Sequence, residues 1–209
     1  MSLKISESGS NNSIPILEEG TYAAVCYMLV DLGLQFNKNY GNSSRKVLIG
    51  WEIADEYVEV DGEKKPRVFS ARYTASLNEK AVLRKDLAAW RGRAFTEAEL
   101  AEFNLCNIIG APCMIQIIHN ESNNGKTYAN LASIMKLPKG MAVPQMTLEP
   151  IIYDIDESDP ADVDKLPEWI ATTIKSSESY QQRLRADSGG ASRMYDLDDE
   201  AESEEGLPF

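Results

Sequence analysis

Apolar and polar residues alternate along the first third of the chain, a pattern typical of β-strands. Residues 21–34 form a long run of β-favouring side chains, and residues 45–53 and 67–74 follow with strict alternation. Asp61-Gly62, between the second and third runs, is a hairpin-turn signal. The pattern therefore predicts three consecutive antiparallel strands. The buried face of the second would consist of Val47, Ile49, Trp51 and Ile53.

The period of the pattern changes from two to about 3.6 after residue 75. Ser76 with Glu79 three residues on is a capping-box signature, apolar residues then recur at helical spacing, and Gly92 is a helix stop signal. Thr96 with Glu99 predicts the start of a second, short helix. Residues 113–119 and 127–137 return to a β pattern. Three strands, a helical insert and two more strands predict a mainly β domain.

This order of elements is that of an OB-fold, a five-stranded, partly open Greek-key barrel that binds oligonucleotides on one face. Other small β-barrels share the strand count. We expect four regions: a flexible N-terminus (1–14), the OB-fold domain (15–145), an acidic extension with a short helix packing on the barrel (146–180), and a disordered acidic C-terminal tail (181–209). Pro167 would open the short helix, and Gly189-Gly190 would link to the tail.

Charge is distributed unevenly along the 209 residues, whose net charge is −12. Residues 186–209 carry −7. Residues 64–93 instead hold nine lysines and arginines against two acids, a net charge of +7. A basic stripe inside an acidic protein is the electrostatic signature of a polyanion partner. A solvated helix face is the alternative for Lys80, Arg84 and Lys85.

Aromatic residues are interleaved with these cations, as a single-strand binder requires. Unpaired bases expose flat π-faces that stack on rings, while cations neutralise the phosphates. For Phe69 and Tyr73, burial in the core is an equally good interpretation. The predicted DNA-binding residues are Lys38, Tyr40, Arg45, Arg67, Phe69, Arg72, Tyr73, Arg91, Arg93 and Tyr128.

The last residues combine strong negative charge with an apolar tip. Seven of the ten residues 196–205 are Asp or Glu, and Gly206-Leu207-Pro208-Phe209 follow. Charge would steer encounter, and the Phe209 ring with its α-carboxylate would anchor a partner. The predicted partner-binding residues are Glu204, Glu205, Leu207, Pro208 and Phe209. A solubilising tail is the alternative interpretation.

An acidic C-terminus tipped with Pro-Phe resembles the tail of single-stranded DNA-binding proteins of bacteria and their phages. Segments of residues 17–180 are similar to a phage family of such proteins. The resemblance implies an OB-fold, single-stranded DNA binding in replication or recombination, and recruitment of replication proteins by the tail. Gly206-Leu207 stands where bacterial tails often have aspartates. The similar segments are Glu18-Glu19-Gly20-Thr21-Tyr22, residues 73–85 with Tyr73-Thr74-Ala75-Ser76-Leu77-Asn78, Trp90-Arg91-Gly92-Arg93 and Leu166-Pro167-Glu168-Trp169-Ile170.

The sequence offers little to support catalysis. Gly125-Lys126-Thr127 completes only half of a phosphate-binding loop, and Asp154 and Asp156 have no neighbouring histidine or lysine motif. We therefore predict a non-enzymatic protein without a cofactor or metal. The alternatives are a protein-interaction accessory module of a replication complex and a metal-dependent nuclease or NTPase.

The cysteine spacing and the absence of a signal-peptide pattern indicate where in the cell the protein would be found. Cys26, Cys106 and Cys113 show no paired spacing, and no stretch resembles a signal peptide or a membrane-spanning helix. The expectation is a cytoplasmic protein with reduced thiols and no membrane partner, in the bacterial host if phage-encoded. The oligomeric state is open, a homo-oligomer included.

Overall fold

A computed structural model of the chain describes residues 14–38, 41–60, 62–122 and 124–195. These residues are mainly β and form one open antiparallel sheet of six strands in the order β3-β2-β1-β4-β5, with β6 pairing with β1. The strands are β1 (Gly20–Asn37), β2 (Asn42–Val60), β3 (Glu63–Thr74), β4 (Pro112–Glu121), β5 (Thr127–Lys136) and β6 (Ile151–Tyr153).

Helices fill the connection between β3 and β4 and follow β6. The α-helices are α1 (Val82–Arg91), α2 (Glu97–Glu102), α3 (Glu168–Lys175) and α4 (Glu178–Tyr195), and Leu105–Ile108 and Pro160–Lys165 are short 3-10 helices. Within the described ranges, no helix combines the length and the apolar character needed to cross a membrane.

The chain divides into two compact units. Unit 1 consists of the described residues up to Leu29 together with Leu48–Ile152, and unit 2 consists of Val30–Val47 together with Tyr153 and the residues after it. The unit boundaries fall inside β1 and β2, so both strands contribute residues to each unit.

The core of unit 1 lies between the sheet and α1. Trp51 of β2 is fully buried, and its ring centroid lies 5.9 Å from that of Trp90 in α1. Trp90 Nε1 donates to the carbonyl oxygen of Pro112 at 2.9 Å, which ties α1 to the start of β4. Large apolar rings and branched side chains packed in this way supply most of the stabilisation of such a core. The placement of Trp51 confirms that the alternating face of β2 is buried.

The core of unit 2 is built around the distal part of the β1–β2 hairpin. Leu32, Ile155, Ile170 and Ile174 are each 1% exposed or less. Gly33 has a φ of 71°, and a Cβ there would lie 2.6 Å from Ser177 Oγ. Only glycine combines this backbone conformation with so close an approach.

The β-rich architecture was predicted correctly, but the strand number and lengths differ. The sequence predicted five strands, whereas the structure has β6 as a sixth, because a three-residue strand is too short to show a period. β2 and β3 extend beyond the predicted strands, through residues 54–60 and 63–66, and so shorten the loop predicted at 60–66. Pro66 is tolerated because β3 is an edge strand, where a missing N–H need not break the ladder.

The helical insert follows the predicted signals in part. Thr96 and Glu99 form the predicted capping box, and Gly92 ends α1 with a φ of 71°. Ser76, however, does not cap α1, which begins at Val82 without a side-chain cap. Instead, Ser76 Oγ accepts from the backbone N–H of Asn78 and stabilises a turn before the helix.

The acidic end of the chain also differs from its prediction. The sequence predicted disorder from residue 181, with Gly189-Gly190 as a linker, whereas α4 continues to Tyr195. Residues 181–186 are Gln, Gln, Arg, Leu, Arg and Ala, which favour helix, and Ser177 Oγ accepts from the N–H of Tyr180 at the start of α4. Residues 196–209, which include Glu204, Glu205, Leu207, Pro208 and Phe209, lie outside the described residues.

Candidate nucleic-acid interface

The positive segment 64–93 occupies β3, the turn after it, and α1 with its C-terminal exit, all in unit 1. Side chains alternate across β3, so Arg67, Phe69 and Tyr73 point to one face and Arg72 to the other. Tyr73 is buried and Arg72 is exposed. The β3 face that packs toward α1 is therefore the buried one.

Tyr73 belongs to the core of unit 1. Its side chain is 7% exposed, and its hydroxyl donates to Asp86 Oδ2 of α1 at 2.9 Å. Burial, followed by the charge of Asp86, raises the pKa of the phenol, and burial also raises the pKa of the Asp86 carboxyl. A ring held in this way offers no free face to a base, so the predicted stacking role of Tyr73 does not fit its position. Phe69, two residues earlier, is half-buried.

Arg91 and Arg93 converge on a single carboxylate, that of Glu99 in α2. Glu99 Oε1 accepts from Arg91 Nη2 at 2.5 Å and from Arg93 Nη2 at 2.5 Å, and Oε2 accepts from Arg93 Nη1 at 3.0 Å. The bond from Arg93, then the backbone N–H of Thr96, lower the pKa of Glu99 to about 2. Two arginines and one ionised carboxylate leave a net charge of +1.

The Arg91 guanidinium also contacts two rings. Its central carbon lies 4.3 Å from the centroid of Phe95 and 5.8 Å from that of Phe103. These cation–π contacts hold Arg91 more tightly than Arg93, and the side chains are 23% and 58% exposed, respectively. Arg93 is therefore the more accessible arginine of the pair.

The other cations of residues 64–93 differ in whether the fold gives them a hydrogen-bond or ion-pair partner. Arg67 donates to the carbonyl oxygen of Pro15, and Arg84 donates to that of Leu77. Four exposed cations of the segment form no ion pair with any described residue: Lys64, whose Nζ lies 4.1 Å from the centroid of the Tyr57 ring, and Arg72, Lys80 and Lys85. They are available to an external anion.

Tyr128 is the exposed ring among the predicted residues of β4 and β5. It is 49% exposed and lies opposite Asn120 of β4. Alternation places it on the same face as Ile118 and Gln116, and Ser133 Oγ donates across that face to Gln116 Oε1 at 3.1 Å. An uncharged surface with a free ring suits stacking.

Two of the predicted residues, Lys38 and Arg45, belong to unit 2. Lys38 is exposed, and Tyr40 lies outside the described residues. Arg45 binds the buried Asp31 through Nε and Nη2, and Nη2 also contacts Asp156 at 2.6 Å. These carboxylates raise the pKa of Arg45 above its ordinary value. Arg45 is thus committed to a structural ion-pair cluster, which does not fit its predicted role as a phosphate ligand.

A large apolar cavity in unit 1 was not predicted from the sequence. Its volume is about 920 Å³, and its apolar walls include Trp90, Phe103, Ile108, Leu137, Met141 and Val143. Arg91, Glu99, Glu102 and Lys136 contribute charged groups to the lining. The apolar, irregular composition after Gly140 was the one sequence signal for this wall.

Comparison with known proteins assigns no family to the chain. No protein-family model matches the chain, and no curated protein matches it. The resemblance to phage single-stranded DNA-binding proteins therefore remains a prediction. In the described part of the chain, no three His, Cys, Asp or Glu side chains are grouped so that they could hold a metal ion.

Proposed function

We propose that this protein binds single-stranded DNA in a sequence-tolerant, non-enzymatic manner during phage or bacterial DNA replication or recombination. The observation that carries the proposal is the excess of positive charge in residues 64–93, of which the fold neutralises only part. Arg91 and Arg93 share one carboxylate, and Arg72, Lys80 and Lys85 are exposed without an ion pair among the described residues.

Strand order supports an OB-fold as the scaffold. The order β4-β1-β2-β3 is the Greek-key arrangement, in which a fourth strand returns beside the first. A hairpin then adds β5 next to β4. Pairing of β3 with β5 would close the sheet into the barrel, and in this structure both are edge strands.

The proposed mechanism divides recognition between charge and stacking. Arg72, Arg93 and the exposed lysines of α1 and the preceding turn would contact phosphates, which are identical at every nucleotide. Tyr128 would stack on a base, and every base has a π-face. Neither contact depends on base identity, so binding would be sequence-tolerant.

Fluorescence anisotropy with labelled oligo-dT, and with a duplex of equal length, tests the proposal. If about four phosphates are neutralised, log K should fall against log salt with a slope of roughly −3, and the single strand should bind more tightly. Equal affinity for both forms, or a slope near zero, would contradict the proposal.

The acidic C-terminal residues form the second part of the proposal. Glu204 and Glu205 would steer a replication protein, and Leu207, Pro208 and Phe209 would fill an apolar pocket on it. Deletion of Phe209 should remove most of the capture of replication proteins from host extract, whereas Glu204→Gln should weaken it slightly. Identical captured sets from full-length and shortened protein would contradict this role.

An accessory protein-interaction module is the second candidate function, and the cavity of about 920 Å³ favours it. A cavity with mostly apolar walls and opposite charges at Glu102 and Lys136 suits an apolar segment of a partner protein that carries both charge signs. Met141→Lys should abolish such an interaction and leave DNA binding intact, as a pull-down and anisotropy on the same preparation would show.

A further inference from the structure

The carboxylate of Glu99 holds Arg91 and Arg93 in the way that a phosphate would. Arg93 forms two parallel bonds with it, Nη1 to Oε2 at 3.0 Å and Nη2 to Oε1 at 2.5 Å. Arg91 adds a bond from Nη2 to Oε1. Such forked pairing is the geometry in which arginine binds both carboxylates and phosphates.

We propose that Glu99 is a built-in competitor of the DNA phosphate, occupying the anion site formed by Arg91 and Arg93 until a single strand displaces it. This inference rests on the proposed function and adds a regulatory element to it. The two arginines belong to the strongly positive segment, and Arg93 is 58% exposed. A phosphate can therefore reach Arg93 from solvent, but it finds the guanidinium already paired with Glu99.

Glu99 remains ionised and in place independently of DNA. Its Oε2 accepts from the Thr96 N–H at 3.0 Å, as part of the capping box of α2. Its pKa is lowered to about 2, so the carboxylate is charged throughout the physiological pH range. A tethered anion of this kind competes at high effective concentration, as linked ligands do.

Little packing opposes displacement of Glu99. Helix α2 has six residues and buries none of their side chains. Phe95 and Phe103 flank the helix and contact each other edge-on, with ring centroids 5.0 Å apart. The chain is thus anchored on both sides of α2, while α2 itself lies on the surface.

The direct test compares Glu99→Gln with Glu102→Gln in oligo-dT binding. Both variants remove one negative charge from the same helix, but Glu102 forms no ion pair with the described residues. Glutamine still supports a capping box, so α2 should persist. Since ion pairs near the surface stabilise only modestly, Glu99→Gln should bind about two- to fivefold more tightly than Glu102→Gln at low salt.

Repeating the comparison in the Arg93→Ala protein shows whether the gain in DNA affinity depends on Arg93. There, Glu99→Gln should give no tightening beyond that of Glu102→Gln, because the accessible arginine of the competed site is gone. Equal affinities of the two single variants, weaker binding by Glu99→Gln, or a gain that survives Arg93→Ala would each overturn the inference. If the unaltered protein fails to bind oligo-dT at all, the proposed function fails instead, so the two failures are distinguishable.

Discussion

The two units of this protein use arginine in opposite ways. In unit 2, Arg45 lies among three carboxylates, those of Asp31, Asp154 and Asp156, so the cluster has a net charge of −2. In unit 1, Arg91 and Arg93 share the single carboxylate of Glu99, so the cluster has a net charge of +1. In unit 2 the carboxylates outnumber the arginine, whereas in unit 1 the arginines outnumber the carboxylate.

This difference shows that local charge balance decides which arginines can serve a phosphate. Arg45 contacts a carboxylate that is only 8% exposed, and removing the arginine would leave that charge buried and unpaired. Arg93 lies at the surface and keeps part of its capacity for an anion. An arginine count from the sequence treats both residues alike.

The largest expected effect concerns Tyr73, the buried ring of unit 1 that bonds to Asp86. Tyr73→Ala should lower the free energy of unfolding by about 3–5 kcal/mol, because it empties a core position and frees the Asp86 carboxylate. Tyr73→Phe, which loses only the hydroxyl, should cost on the order of 1 kcal/mol. Urea unfolding measures both. A stable Tyr73→Ala protein with a selective DNA-binding defect would restore the stacking interpretation.

Arg45→Ala should destabilise the protein by about 2–3 kcal/mol while leaving DNA affinity unchanged, since it removes the partner of the buried Asp31. The matched control is Lys38→Ala, an exposed cation of the same unit, which should change stability by at most about 0.5 kcal/mol. Urea titration gives both values. Loss of DNA affinity without loss of stability would show that Arg45 is a phosphate ligand after all.

Tyr128→Ala should weaken oligo-dT binding by about 1–3 kcal/mol, if the ring stacks on a base, with little change in stability. Ile118→Ala, on the same exposed face, is the control for loss of apolar area without loss of a π-face. Anisotropy titrations of the two variants compare them. Equal losses of affinity would argue against stacking by Tyr128.

The smallest effect is the pH dependence contributed by Glu99. Its pKa is about 2 in the folded protein against an ordinary 4.5, so its stabilising contribution is complete above pH 4.5 and is lost as pH falls toward 2. The melting temperature of the unaltered protein should therefore exceed that of Glu99→Gln by a constant margin above about pH 5, and the margin should vanish on acidification. A margin independent of pH would contradict the ion pairs.

The sequence predicted the features that depend on local order along the chain. The buried strand around Trp51, the capping box of Thr96 and Glu99 and the stop at Gly92 each follow from neighbouring residues, and each is present. It missed β6 and the extended β2–β3 hairpin, whose polar residues show no buried face. It also predicted disorder after residue 180, since glycine and acid content outweighed the helix-forming residues of α4.

The candidate site was less predictable, because its properties arise from contacts between distant residues. Asp31 and Arg45 meet across the β1–β2 hairpin, and Asp156 approaches from 111 residues away. Alternation on β3 put Tyr73 on a definite face but did not show that this face packs on α1. Glu99 was recognised only as a capping residue, and its second role toward Arg91 and Arg93 depends on the turn after Gly92.

The salt dependence of DNA binding by Arg93→Ala and Arg45→Ala tests the central claim most directly. Both variants remove one positive charge, so net charge cannot explain a difference between them. The account predicts that Arg93→Ala flattens the slope of log K against log salt by up to about 0.7, the value for one phosphate on a single strand, and that folded Arg45→Ala keeps the original slope. Equal flattening by both variants, or flattening by Arg45→Ala alone, would contradict it.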